Sequence, residues 1–127
     1  MSSAEVERFV RDLNNAWIEG RCDDLVPLFH DQVVMVPPGT GQRIVGRDAM
    51  VDSYRQFLAA AKVHEFRTLD LRADVFGGTA VAALRFEIRY EMQGRVYQER
   101  GTDFMVLHRD DSAWQVVWRT QVAEPGT

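Results

Sequence analysis

The chain has 127 residues, 46% of them hydrophobic and 27% charged, with a formal net charge of −4. That length suits one domain, residues 1–127, and the balance is that of an ordinary folded protein, which excludes the disordered and fibrous classes. The mild negative charge, spread without a block of one sign, argues against nucleic acid and anionic membranes as partners. No apolar run approaches the ~20 residues of a membrane helix, and the opening Met1-Ser2-Ser3-Ala4-Glu5 has neither a basic lead nor an apolar stretch, so a cytoplasmic location is expected. Cys22 is the single cysteine, which leaves no internal disulfide to form.

The first element reads as an amphipathic helix: Val6, Phe9, Val10, Leu13 and Trp17 recur at helical spacing, with charged residues between them. Ser2 and Glu5 have the spacing of a capping box at its start, and Gly20 is its stop. Asp23 or Asp24 then caps a short second helix through Leu25, Leu28 and Phe29. A short apolar run, Gln32 to Val36, ends at Pro37-Pro38-Gly39-Thr40-Gly41, a loop placed to rim a cavity. After Gly46-Arg47-Asp48 a third helix is expected, because Met50, Tyr54, Phe57, Leu58 and Ala61 again recur at three and four.

From about His64 to Val122 the helical period vanishes. Four β-rich stretches follow, parted by Gly77-Gly78, Gln93-Gly94 and Asp110-Asp111-Ser112, which predicts an antiparallel meander. Helices first and strands afterwards indicate an α+β domain with helices over one face of a curved sheet. On the stretch from Thr79 to Met92, one parity carries Leu84, Phe86, Ile88 and Tyr90 and the other Arg85, Glu87, Arg89 and Glu91. The last stretch, Trp114 to Val122, is apolar on both parities near its middle. Helices cover one of its faces; Val116, Val117, Trp118 and Val122 point to a second copy of the protein over the other.

Five segments, in this order, resemble the SnoaL-like group of the nuclear-transport-factor-2-like superfamily: Ala16-Trp17-Ile18-Glu19-Gly20, Asp24-Leu25-Val26-Pro27-Leu28-Phe29, Val33 to Pro38, Val45-Gly46-Arg47-Asp48-Ala49-Met50 and Trp114-Gln115-Val116-Val117. The resemblance spans nearly the whole chain. It implies a cone-shaped α+β barrel, with about three N-terminal helices packed on a strongly curved, mainly antiparallel sheet around a pocket. It also implies a homodimer packed through the sheets. The fold hosts isomerases, cyclases, dehydratases, epoxide hydrolases and plain assembly domains, so the chemistry rests on individual residues. Laid on the steroid delta-isomerase pattern, the tyrosine position falls on Leu13 and the carboxylate base on Val36 or Pro37; only Asp103 matches. Two of three functions are missing, and that activity is not expected.

The candidate pocket groups are Trp17, Tyr54, Arg85 and Arg119, with Asp103 and Glu87 as the candidate catalytic carboxylates if burial lets one of them hold or move a proton near neutral pH. Arg85, Glu87 and Asp103 superficially imitate the aspartate, arginine, aspartate set of epoxide hydrolases of this fold. Register decides whether they meet. A two-residue turn at Gln93-Gly94 pairs Arg85 with Thr102 and leaves Asp103 on the opposite face, whereas one bulge unites Arg85 and Asp103. His30, His64 and His108 have no paired spacing, so no metal is expected, and no cofactor motif is present. The function implied is binding of a small organic molecule in an internal apolar pocket, with isomerase, cyclase or hydrolase-type chemistry through the pocket carboxylates. The alternative is a non-enzymatic dimerisation or assembly module with a filled pocket.

Overall fold

Helix α1 (Ser3–Ile18) forms where the periodicity places it, burying Val6, Val10, Leu13 and Trp17. Ser2 caps it, accepting from the Glu5 backbone N–H at 3.3 Å. The reciprocal half of the expected capping box is missing, because the Glu5 carboxylate instead accepts from the Trp114 indole N–H at 3.2 Å and ties the helix start to the last strand. At the other end Arg21 N–H reaches back to the Ala16 carbonyl and Gly20 N–H to that of Trp17, the bond pattern of a Schellman stop. These coordinates are those of a computed structural model, which describes residues 2–38, 41–111 and 113–125. Gly39 and Thr40 of the expected rim loop and Ser112 of the last turn lie outside the described residues.

The second helix is a 3-10 segment, Cys22–Leu28, and Phe29 already belongs to strand β1 (Phe29–Val36). Neither aspartate caps it. Asp24 pairs with Arg21 at 2.7 Å and Asp23 with Arg55 at 2.6 Å, the latter clamping the segment to α2 (Arg47–Ala60). The short β2 (Ile44–Val45) precedes α2, and the meander follows: β3 (Ala61–Phe76), β4 (Thr79–Met92), β5 (Arg95–Arg109) and β6 (Trp114–Ala123).

The strands form one sheet in the order β2-β1-β6-β5-β4-β3, antiparallel except where β1 runs parallel to β6. Its linear order leaves two edges, so the sheet is curled and not closed into a complete barrel. The curl has local causes: β3 slips register against β4 at Val63/Glu65 and Thr68/Asp70, and β5 against β6 at Val106/Leu107. By contrast β4 and β5 pair without a break from Thr79↔His108 to Met92↔Arg95. Gln93 and Gly94, both at positive φ, supply the tight turn that fixes this register. Arg85 therefore pairs with Thr102, and Asp103 points to the other face.

The concave face carries Ala80, Ala82, Leu84, Ile88, Met105, Leu107 and Val116 into the core against α1 and α2. Val116 is fully buried there, which corrects its expected place on the outer face. The shift at Val106/Leu107 explains the change, since it reverses parity along β6 and turns Trp118 and Val122 outward while Val116 stays inside. Among the described residues no helix is long and apolar enough to cross a membrane.

Candidate functional site

Between the helices and the concave sheet lies a cavity of about 320 Å³. Aromatic rings form much of its wall. Trp17 sits 5.6 Å from Tyr54 and meets Phe66 edge-on at 5.8 Å, Phe66 stacks on Phe86 at 5.7 Å, and Phe57 meets Tyr90 at 5.2 Å. Helix α1 sends in Trp17 and Asn14, and α2 sends in Tyr54 and Phe57, each pair three residues apart on one helical face. The Trp17 indole N–H donates to the Asn14 side-chain oxygen at 2.9 Å, so this large ring is fixed within a polar pair while lining the cavity.

The polar floor is built from β5, β6 and α2. Asp103 is 2% exposed and Arg119 5%. Arg119 Nε donates to both carboxylate oxygens at 3.0 Å, and Nη2 donates to Oδ2 at 2.7 Å. Gln121 adds a donor to the same oxygen at 3.3 Å. Arg119 Nη1 donates to the Tyr54 hydroxyl, and the guanidinium lies 5.4 Å from the Tyr54 ring centroid. Burial pulls the Arg119 guanidinium pKa down, but the Asp103 carboxylate and Tyr54 outweigh it and raise it above its ordinary value, so Arg119 is a cation. Burial raises the Tyr54 phenol to about 12, against the opposing pull of Arg119, so Tyr54 is a neutral hydroxyl at working pH. Its oxygen is already an acceptor, which leaves its proton and the remaining Nη hydrogens of Arg119 as donors for a guest.

Of the residues picked out in the sequence, Trp17, Tyr54, Asp103 and Arg119 all line this cavity. Arg85 and Glu87 do not. Both project from the outer face of β4, where Arg85 pairs with Glu124 at 2.5 Å and Glu87 is covered by Arg100 at 2.6 Å and Arg67 at 3.3 Å. The Arg100 hydrogen bond holds the Glu87 carboxyl below its ordinary range, and the Arg85 bond does the same for Glu124. The imitation of an epoxide-hydrolase set fails on this geometry, because the unbroken β4–β5 register separates Arg85 from Asp103. Leu13 is a buried core residue and Pro37 part of the cavity wall, and neither supplies a donor or a base. The histidines stay apart: His30 beside Asp31 at 3.0 Å, His64 against Glu91 at 3.2 Å, and His108 exposed on β5.

Four polar lining groups escape the sequence reading: Asn14, Ser53, Glu99 and Gln121. Glu99 had a visible signal. It shares with Asp103 the parity of Met105 and Leu107, the apolar side of β5, and a charged residue on an apolar parity is a stronger pointer to a cavity than one on a polar parity. Gly101 sits between them, where a Cβ would come within 2.9 Å of the Val122 carbonyl and 3.2 Å of the Phe86 ring.

Solved structures share this architecture at low identity, which speaks to the fold alone. An NTF2-like protein from Cytophaga hutchinsonii is 18% identical with a TM-score of 0.82, covering 98% of this chain and 100% of that one. A ketosteroid isomerase-like protein from Erwinia carotovora atroseptica is 14% identical with a TM-score of 0.79, covering 94% of each chain. The CaMKII hub of S. rosetta is 14% identical with a TM-score of 0.82, covering 98% of each chain. No curated protein sequence matches the chain. The model of the SnoaL-like domain matches residues 6–119, most of the length and both the aromatic wall and the Asp103–Arg119 floor, and the chain belongs to that family.

Proposed function

We propose that the protein binds a small organic molecule in the cavity between its helices and its sheet. The observation that carries this reading is the cavity itself: about 320 Å³ walled by aromatic rings over a buried Asp103–Arg119–Tyr54 floor with donors to spare. A filled barrel serving only assembly would have no use for such a space, and a pocket of this size with a few convergent polar groups is the usual form of a ligand site. Within it, Asp103 acts as the acceptor that orients Arg119, and Tyr54 and Arg119 hold the oxygen of the guest; any proton transfer at the floor runs through these groups. Isothermal titration of a small-molecule panel, followed by the Trp17 indole N–H signal in NMR, tests the reading. Saturable shifts at Trp17 that vanish in Phe57→Trp, which fills the space, support it; a panel that never moves Trp17 counts against it.

We infer that the protein also pairs with a second copy of itself through the outer sheet face. Phe76, Val81, Phe104, Trp118 and Val122 are exposed there on four neighbouring strands, Phe76 by 67% and Val122 by 54%. A face of this kind is rare on a monomer, and a two-fold pairing covers it with its own equivalent. The similarity to a hub structure agrees with self-association.

A further inference from the structure

The cavity wall carries an unbalanced charge. Of the acidic and basic side chains lining it, Asp103 and Arg119 neutralise each other at the floor, and Glu99 remains. The neighbouring guanidinium, Arg100, turns to the opposite face and donates to Glu87 at 2.6 Å. Among the described residues no arginine or lysine forms a salt bridge with Glu99. Its visible partner is the Tyr90 hydroxyl, a neutral donor: burial, and then the Glu99 charge, raise that phenol to about 12. Glu99 is exposed at the mouth, on a wall shared with an adjoining recess of about 260 Å³.

A lone carboxylate at the mouth of an aromatic cavity has a specific chemical complement. The faces of Trp, Tyr and Phe rings attract a positive charge, and a carboxylate supplies its counter-ion. Tyr90 and Phe86 line the cavity with Glu99, and Trp17, Phe57 and Phe66 continue the wall inward through ring contacts of 5.2 to 6.1 Å. Glu99 and Asp103 lie four residues apart on one strand, so mouth and floor are separated by roughly 13 Å, the length of a mid-sized organic molecule. An anionic guest meets the Glu99 charge and finds Arg119 already neutralised; a neutral guest fills the wall but leaves Glu99 unanswered.

Resting on the reading of the cavity as a ligand site, we propose that its guest is an organic cation. The ammonium group sits against Glu99, the apolar body lies along the aromatic wall, and any acceptor atom at the far end meets Tyr54 and Arg119.

The test compares two isosteres, benzyltrimethylammonium and the uncharged neopentylbenzene, with phenylacetate as the anionic probe, each titrated into the full chain while the Trp17 indole signal is followed. The expected result is that the ammonium binds roughly tenfold tighter than its neutral isostere and phenylacetate binds weakest. Glu99→Gln brings the ammonium-to-neutral ratio close to one and leaves the affinity for neopentylbenzene unchanged. If neopentylbenzene binds as tightly as the ammonium, or if Glu99→Gln does not alter the ratio, the cation assignment is overturned while the cavity remains a ligand site. If none of the three probes moves Trp17, both readings fall together.

Discussion

Arg119 grips both oxygens of Asp103 from the adjacent strand, with Nε 3.0 Å from each and Nη2 2.7 Å from Oδ2, at a point where both residues are almost wholly buried. A pair of this kind adds little net stability when intact and is costly to break, because either charge alone is stranded in a medium that cannot solvate it.

Arg119→Met should therefore destabilise the protein by about 3–5 kcal/mol, whereas the double variant Arg119→Met/Asp103→Leu should recover most of that loss. Urea unfolding of the single and double variants measures both. Additive losses would mean that the two side chains do not act as a unit.

The outer-face carboxylate Glu87 gives the stability a direction at low pH. The Arg100 bond lowers its folded pKa below the ordinary 4.5, so the unfolded chain takes up its proton first as pH falls. The contribution is present above about pH 4.5 and is lost as pH drops through the lower folded value. Glu87→Gln should flatten the fall in stability below pH 4.5, measured as the denaturation midpoint against pH.

Tyr54 acts at the opposite end of the scale. Its folded pKa of about 12 lies above the ordinary 10, so stability is full below pH 10 and declines as the unfolded phenol ionises between those values. Tyr54→Phe should remove its share of that alkaline decline, read from thermal unfolding between pH 9 and 12.

Gly101 predicts a steric effect. A methyl group there meets the Val122 carbonyl at 2.9 Å, and backbone cannot move aside as a flexible side chain does. Gly101→Ala should cost about 1–3 kcal/mol in chemical denaturation, with Phe86 displaced toward the cavity.

On the outer face, Trp118→Glu places a charge at the middle of the exposed apolar strip. Sedimentation equilibrium should show a dimer for the parent chain and a monomer for the variant, with the Trp17 response to ligands retained in both.

Helix periods and glycine turns were enough to read off α1, α2 and the four-strand meander, because those signals are local. The contents of the cavity depended on which side of each strand is concave. Arg85 and Glu87 looked attractive as charges on a strand beside the pocket, yet they share the polar parity of Arg89 and belong outside. Asp103 stands out by its likeness to a known pattern, while Glu99, four residues earlier on the same parity, has only that parity to mark it. The inversion of Val116 against Trp118 arises from a register slip between β5 and β6, and no glycine or proline in either strand at that point announces it.

The strand that carries Arg119 follows the other described strands in sequence, yet it lies between β1 and β5 in the sheet. Without β6 the early strand has only its two-residue neighbour β2, and Asp103 has no cation. The pairing of β1 with β6 sets Val36 beside Thr120, and contacts between segments so far apart in sequence must close a large loop, which makes for slow folding. One strand thus serves both the polar floor and the continuity of the sheet, so that any opening of β6 removes the cation of Asp103 and parts β1 from β5 together.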